Sequence, residues 1–207
     1  MWQWLLNLLF PERCVHCGVW QGLLCRRCVQ GMRRYPQQEI PAGLDGAAVG
    51  WIFEGALQRA IHQLKYQRVR RVAIPLGTLL AELWAAQRIT VDAVIAVPLH
   101  RQRLAERGFN QAEEIARALA TRHGIALLPG LFRERDTGHQ ARLSRVERRS
   151  NISGAFRWRA AQPPPPRVLL VDDVLTTGAT LEECGQLLLR VSGTRLSLAT
   201  MAMAINH

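Results

Sequence analysis

The stretch Val168-Leu169-Leu170-Val171-Asp172-Asp173-Val174-Leu175-Thr176-Thr177-Gly178-Ala179-Thr180 decides the fold. Its four leading apolar residues have the pattern of a strand buried on both faces, which a parallel sheet covered by helices provides. Two adjacent carboxylates close the strand, and a small, hydroxyl-rich turn then opens a helix. Thr180 and Glu183 have capping-box spacing, and Leu181, Cys184, Leu187, Leu188 and Val191 line one helix face before Gly193. A turn at a helix N-terminus exposes unpaired backbone N–H groups. With the hydroxyls of Thr176, Thr177 and Thr180 beside Gly178 and Ala179, the turn suits a phosphate monoester. Asp172 and Asp173 cannot bind that phosphate themselves; they suit sugar hydroxyls or a hard cation such as Mg²⁺. A ribose 5-phosphate satisfies both halves.

Outward from this motif, Pro163 to Pro166 stiffen the entry into the strand, and Ala93 to Val97 form a second buried strand closed by Pro98. Asn110 and Glu113 approximate a capping box ahead of a helix whose stripe is Ala112, Ile115, Ala116 and Leu119. Earlier still, Val49 to Phe53 predicts a short strand, Leu57, Ala60, Ile61 and Leu64 a helix, and Leu76, Leu79, Leu80, Leu83 and Trp84 another after Pro75. This alternation predicts an α/β fold with a mostly parallel sheet, which binds ligands beyond the carboxyl ends of its strands. Residues 133–159 carry eight Arg against Glu134, Asp136 and Glu147, the composition of a mobile or ligand-facing loop rather than core.

Four of five cysteines fall early, as Cys14, Cys17, Cys25 and Cys28, and Gly18 follows the second. The C-x₂-C-x₇-C-x₂-C spacing lets two knuckles present four thiolates to one Zn²⁺, which would fold a segment too short for its own core. His16 is expected to be exposed rather than coordinating, and Cys184 to be a buried helix residue. Arg13, Arg26, Arg27, Arg33 and Arg34 against Glu12 leave this finger basic enough to meet nucleic-acid phosphates. Trp2, Leu5, Leu6 and Leu9 predict one face of a short helix, for packing on the main domain or, alternatively, docking on a membrane or partner. Pro36, Pro41, Gly43 and Gly46 mark a linker, so the expected division is residues 1–35 for helix and finger, 36–46 for the linker and 47–207 for the main domain. No run of 18 apolar residues and no signal peptide is evident, so a cytoplasmic protein without a transmembrane segment is expected, with its cysteines reduced.

The chain has 207 residues, is 48% hydrophobic and carries a formal charge of +11, which excludes a disordered polyelectrolyte. Two large domains do not fit this length. Lys65 is the only lysine; every other basic residue except histidine is Arg, a bias toward planar, bidentate partners such as phosphates or carboxylates.

The thirteen-residue motif resembles the phosphoribosyl pyrophosphate (PRPP) loop of type I phosphoribosyltransferases. Together with Val97-Pro98-Leu99-His100, Arg103, Arg107-Gly108-Phe109-Asn110-Gln111-Ala112, the segment 140–156, Lys65-Tyr66 and the cysteine quartet, it makes nearly the whole chain resemble the ComF/GntX group of bacterial proteins. The resemblance implies a type I phosphoribosyltransferase-like sheet flanked by helices with a small N-terminal zinc finger, and a role in DNA uptake or in use of DNA as nutrient. It implies that Asp172 and Asp173 meet the ribose and Mg²⁺ of PRPP, that Thr176, Thr177, Gly178, Ala179 and Thr180 hold its 5′-phosphate, and that Pro98, Leu99 and His100 with Arg101 and Arg103 form a pyrophosphate loop. Arg107 adds a cation there, and Arg142, Arg145, Arg148 and Arg149 would lie in a hood closing over PRPP. Phosphoribosyltransferases that salvage 6-oxopurines carry an acidic residue near the place of Thr176, which cannot act as a base at neutral pH; this argues against hypoxanthine or guanine as acceptor. Single-stranded DNA or DNA-uptake proteins are the implied partners. The alternatives are a plain nucleobase or amine phosphoribosyltransferase and a non-enzymatic DNA-binding adaptor.

Overall fold

A computed structural model describes residues 12–36, 43–136 and 151–205. The helix expected around Leu5 and the hood arginines Arg142, Arg145, Arg148 and Arg149 lie outside the described residues, as does much of the expected linker.

Five parallel strands form the sheet, in the order β1 (Gly46–Ile52), β7 (Arg195–Met203), β6 (Arg167–Leu175), β2 (Ala93–Ala96) and β3 (Ala126–Leu127). The faces are covered by α2 (Gly55–Tyr66), α3 (Ala73–Ala85), α5 (Gln111–His123) and α6 (Ala179–Ser192). Two further short helices are α1 (Arg26–Gln30) in the finger and α4 (Arg101–Arg107) after β2. A two-stranded antiparallel ribbon, β4 (Leu131–Arg133) with β5 (Phe156–Trp158), stands apart from the sheet.

Strand alternation divides the core. Leu169, Val171, Ala199 and Met201 face α2, α3 and α5, while Val168, Leu170, Leu196 and Leu198 face α6 and the ribbon. On the first face Gly77 lets α3 and α5 touch, since a Cβ there would lie 2.5 Å from the Ile115 carbonyl oxygen. Three expectations are corrected. The strand around Leu170 runs through Leu175, so both aspartates lie within it rather than after it. Helix α6 is capped by Gly178 in the left-handed conformation, with no side-chain cap, and Glu183 instead accepts from the Gly154 N–H at 2.7 Å, so Thr180 and Glu183 form no capping box. The arginine-rich stretch holds core as well as charge, because Ile152, Ala155 and Phe156 are buried against α6 and β6.

Candidate functional site

β6 outruns β2, whose last partner pair is Ala96 with Val171, so Asp172 and Asp173 are borne on backbone paired only with β7. Alternation sends the two carboxylates to opposite faces of the sheet. Asp173 points into the face of α2 and α5, where it is 3% exposed. There Lys65, in the last turn of α2, makes an ion pair with Asp173 Oδ2, and Gln111 Nε2 donates to Oδ1 at 3.3 Å. Arg107 donates in turn to Gln111 Oε1. Burial pushes the Asp173 carboxyl up, but the charge and hydrogen bond of Lys65 outweigh it and hold the group below the ordinary value. Burial likewise pushes the Lys65 ammonium down, and Asp173 more than reverses that.

Asp172 faces the other way, toward α6. Its Oδ1 accepts from the Asp173 N–H at 2.8 Å. Burial, reinforced by the charge of Asp173, holds its carboxyl well above the usual range. Cys184 lies on this face, fully buried, and its thiol is pushed up by burial and then by the charge of Asp172. Arg133, at the end of β4, reaches the same region with its guanidinium carbon 5.7 Å from the Phe156 ring centroid. Burial lowers its pKa against the pull of Cys184, Asp136 and Asp172.

The turn after β6 leads into α6 through Gly178, whose φ of 81° suits glycine. The Ala179 N–H meets only the Thr177 hydroxyl oxygen, at 3.5 Å, so the first turn of α6 keeps donors for an anion. Pro98, Leu99 and His100 follow β2, where Asn110 Nδ2 donates to the Val97 carbonyl at 2.9 Å and a backbone bridge joins His100 to Arg133. His100 is buried, and its Nδ1 has no hydrogen-bond partner among the described residues. Arg101 is exposed and Arg103 partly so, both on α4. A cleft of about 360 Å³ between Pro98, Leu104, Asn110 and Phe132 lies at the β3 edge, and neither the carboxylates nor the turn 176–180 line it.

In the finger all four cysteine sulfurs lie within 4.8 Å of one another. Cys14 and Cys28 are 3.7 Å apart and Cys17 and Cys25 3.6 Å, matching the spacing of about 3.8 Å that four Zn–S bonds of 2.3 Å impose at a tetrahedral centre. All four are free thiols. Burial pushes the Cys14 thiol up, yet the N–H groups of Cys17, Cys25 and His16 bring it to about 6, while burial and the neighbouring cysteines push Cys28 up. A cluster with three buried thiols, an exposed Cys17 and this charge conflict suits a structural Zn²⁺. His16 is exposed and Cys184 stands far along the chain in α6, as expected.

Three members of the site escaped the sequence reading. Lys65 carries no site role in the sequence reading beyond the family pattern, although a lone lysine among 26 arginines signals a task that arginine cannot perform. Gln111 could have been found as a polar residue at the first inward position of α5. Arg133 gave no local signal, because its placement depends on the pairing of β4 with β5.

No family model matches the chain. It is 35% identical over 186 residues to the DNA utilization protein YhgH of Salmonella typhi, covering 86% of this chain and 78% of that one. It is 36% identical over 116 residues to competence protein F of Haemophilus influenzae, covering 55% and 51% of the two chains. It is also 33% identical over 94 residues to competence protein ComFC of Streptococcus pneumoniae, covering 45% and 40%. With this likeness running across most of its length and the cysteine cluster and parallel sheet in place, the chain belongs to the ComF/GntX family.

Proposed function

We propose that this protein binds PRPP with Mg²⁺ and acts in handling DNA that is taken up or used as nutrient. The observation that carries the ligand is β6, which delivers two carboxylates and then a turn with unfilled helix N–H groups. In this reading the turn 176–180 holds the 5′-phosphate, Asp172 meets the ribose and the cation, and Lys65 and Gln111 keep Asp173 ionised beside it. Mg²⁺ would offset the charge of the pyrophosphate, and it would favour the ionised form of the Asp172 carboxyl against the burial that raises its pKa. Residues 98–100, Arg101, Arg103 and Arg107 supply the pyrophosphate side, joined by Arg142, Arg145, Arg148 and Arg149. The DNA role is supported by the relatives, which are named for DNA utilization and competence.

Calorimetry with PRPP, with and without Mg²⁺, tests the ligand. Binding that needs Mg²⁺ and disappears in Asp172→Asn is the expected outcome; unchanged affinity in a folded variant sinks the ribose assignment. Asp173→Asn is a poorer probe, because it leaves the buried Lys65 ammonium without its counter-charge.

A further inference from the structure

The outer side of α2 carries a pattern that the carboxylate site does not use. Gly55, Arg59, His62 and Tyr66 recur at i, i+4, i+7 and i+11, form one stripe along the helix, and are all exposed. Helix α2 contains neither Asp nor Glu, and Glu54 just before it is paired with Arg33. Arg59 has no acidic partner among the described residues. The stripe ends in Tyr66, 62% exposed, whose ring lies 4.6 Å from that of His62 and 5.9 Å from the Arg107 guanidinium. A ring so exposed adds little to the core, so the fold does not account for it.

Tyr66 is nevertheless held in place. Arg68, two residues on, adopts a φ of 58°, unfavourable for a residue with a Cβ, and its guanidinium donates to the Glu106 carbonyl in α4. That contact ties the end of α2 to α4 and fixes Tyr66 opposite Arg107. Arg107 reaches Asp173 through Gln111, and Lys65, next to Tyr66, reaches it directly. The ring thus stands beside the carboxylate site, at the end of the stripe that carries Arg59 and opposite Arg107.

Cations for backbone phosphates and an open aromatic face for a base are the chemistry that holds a nucleic-acid single strand, whose bases are free to stack as those of a duplex are not. We propose that the outer face of α2 binds such a strand, with one base stacked on Tyr66 beside the Lys65–Asp173 pair. This rests on the DNA-handling reading above and assigns it a surface.

Fluorescence anisotropy of the full chain with a fifteen-nucleotide dT strand, the same length of abasic strand and a duplex decides the matter. Tyr66→Ala should weaken dT binding about tenfold, the scale of one lost stacking contact, while leaving abasic binding unchanged and with Tyr66→Phe close to the unaltered protein. Arg59→Ala should weaken both strands and flatten the slope of log affinity against log salt by about 0.7. The proposal is overturned if Tyr66→Ala binds dT like the unaltered chain, if dT and abasic strands weaken equally, or if the unaltered chain binds poly-glutamate but no dT. PRPP calorimetry on the same samples separates the two ideas: absence of PRPP binding would fell that ligand and leave the strand result standing.

Discussion

Lys65 has 21% of its side chain exposed, against 5% for Asp173, so neither charge is well solvated without the other. The signs of their pKa shifts set where the pair contributes. Asp173, depressed, adds stability above about pH 4, lost as the pH falls through its lower folded value; Lys65, raised, adds stability below about pH 10, lost as the pH climbs through its higher one. On the plateau between, Lys65→Met should lower stability in denaturant unfolding by about 3–5 kcal/mol, and adding Asp173→Leu should recover most of it. Asp172 has the opposite character. Its folded pKa is raised, so stability falls as the pH climbs from about 4 through that raised value. Asp172→Asn should therefore raise the melting temperature at pH 8, by about 2–4 °C for each kcal/mol relieved, and the gain should vanish near pH 4. Calorimetric scans at both pH values check this. The identity of these two residues was legible in the chain, but their division between two faces was not, since it required knowing that the strand continues through Leu175.

The elements with strong local signals were legible close to their observed bounds. Asn110 caps α5 by accepting from the Ala112 N–H at 3.1 Å, and Gly193 ends α6 with a φ of 65°. The failure at Thr180 has a physical reason: Gly178 already takes the cap position, which places Thr180 inside the helix. The ribbon was hidden because Leu131–Arg133 and Phe156–Trp158 are short and pair across a long, charged intervening segment. The finger was written plainly in its cysteine spacing. Cys17→Ser should lose bound zinc by metal analysis, while Cys184→Ala, which alters only a buried position in α6, should keep one zinc per chain.

Across the molecule the finger and sheet share structure rather than merely neighbouring each other. The Ile52 N–H donates to the Arg33 carbonyl at 2.9 Å and the Tyr35 N–H to the Gly50 carbonyl at 3.1 Å, so the finger's tail covers the open edge of β1. Arg34 lies over the Trp51 ring at 4.2 Å, and Val15, Leu23, Leu24 and Met32 pack on the main core. The sequence suggested a finger with little core of its own, and the structure shows where the missing burial comes from. Metal that binds only the folded finger should then stabilise the whole chain.

Helix α2 begins with Ala56 packed among Cys14, Cys25 and Cys28 and ends with Lys65 on Asp173. Its 12 residues make a strut of about 18 Å between a redox-sensitive anchor and a charged socket. Oxidants that strip thiolates from zinc would loosen the strut at its foot, and amide exchange around Lys65 and Tyr66 should quicken well before the sheet itself opens, making the finger a fuse for the site it never touches.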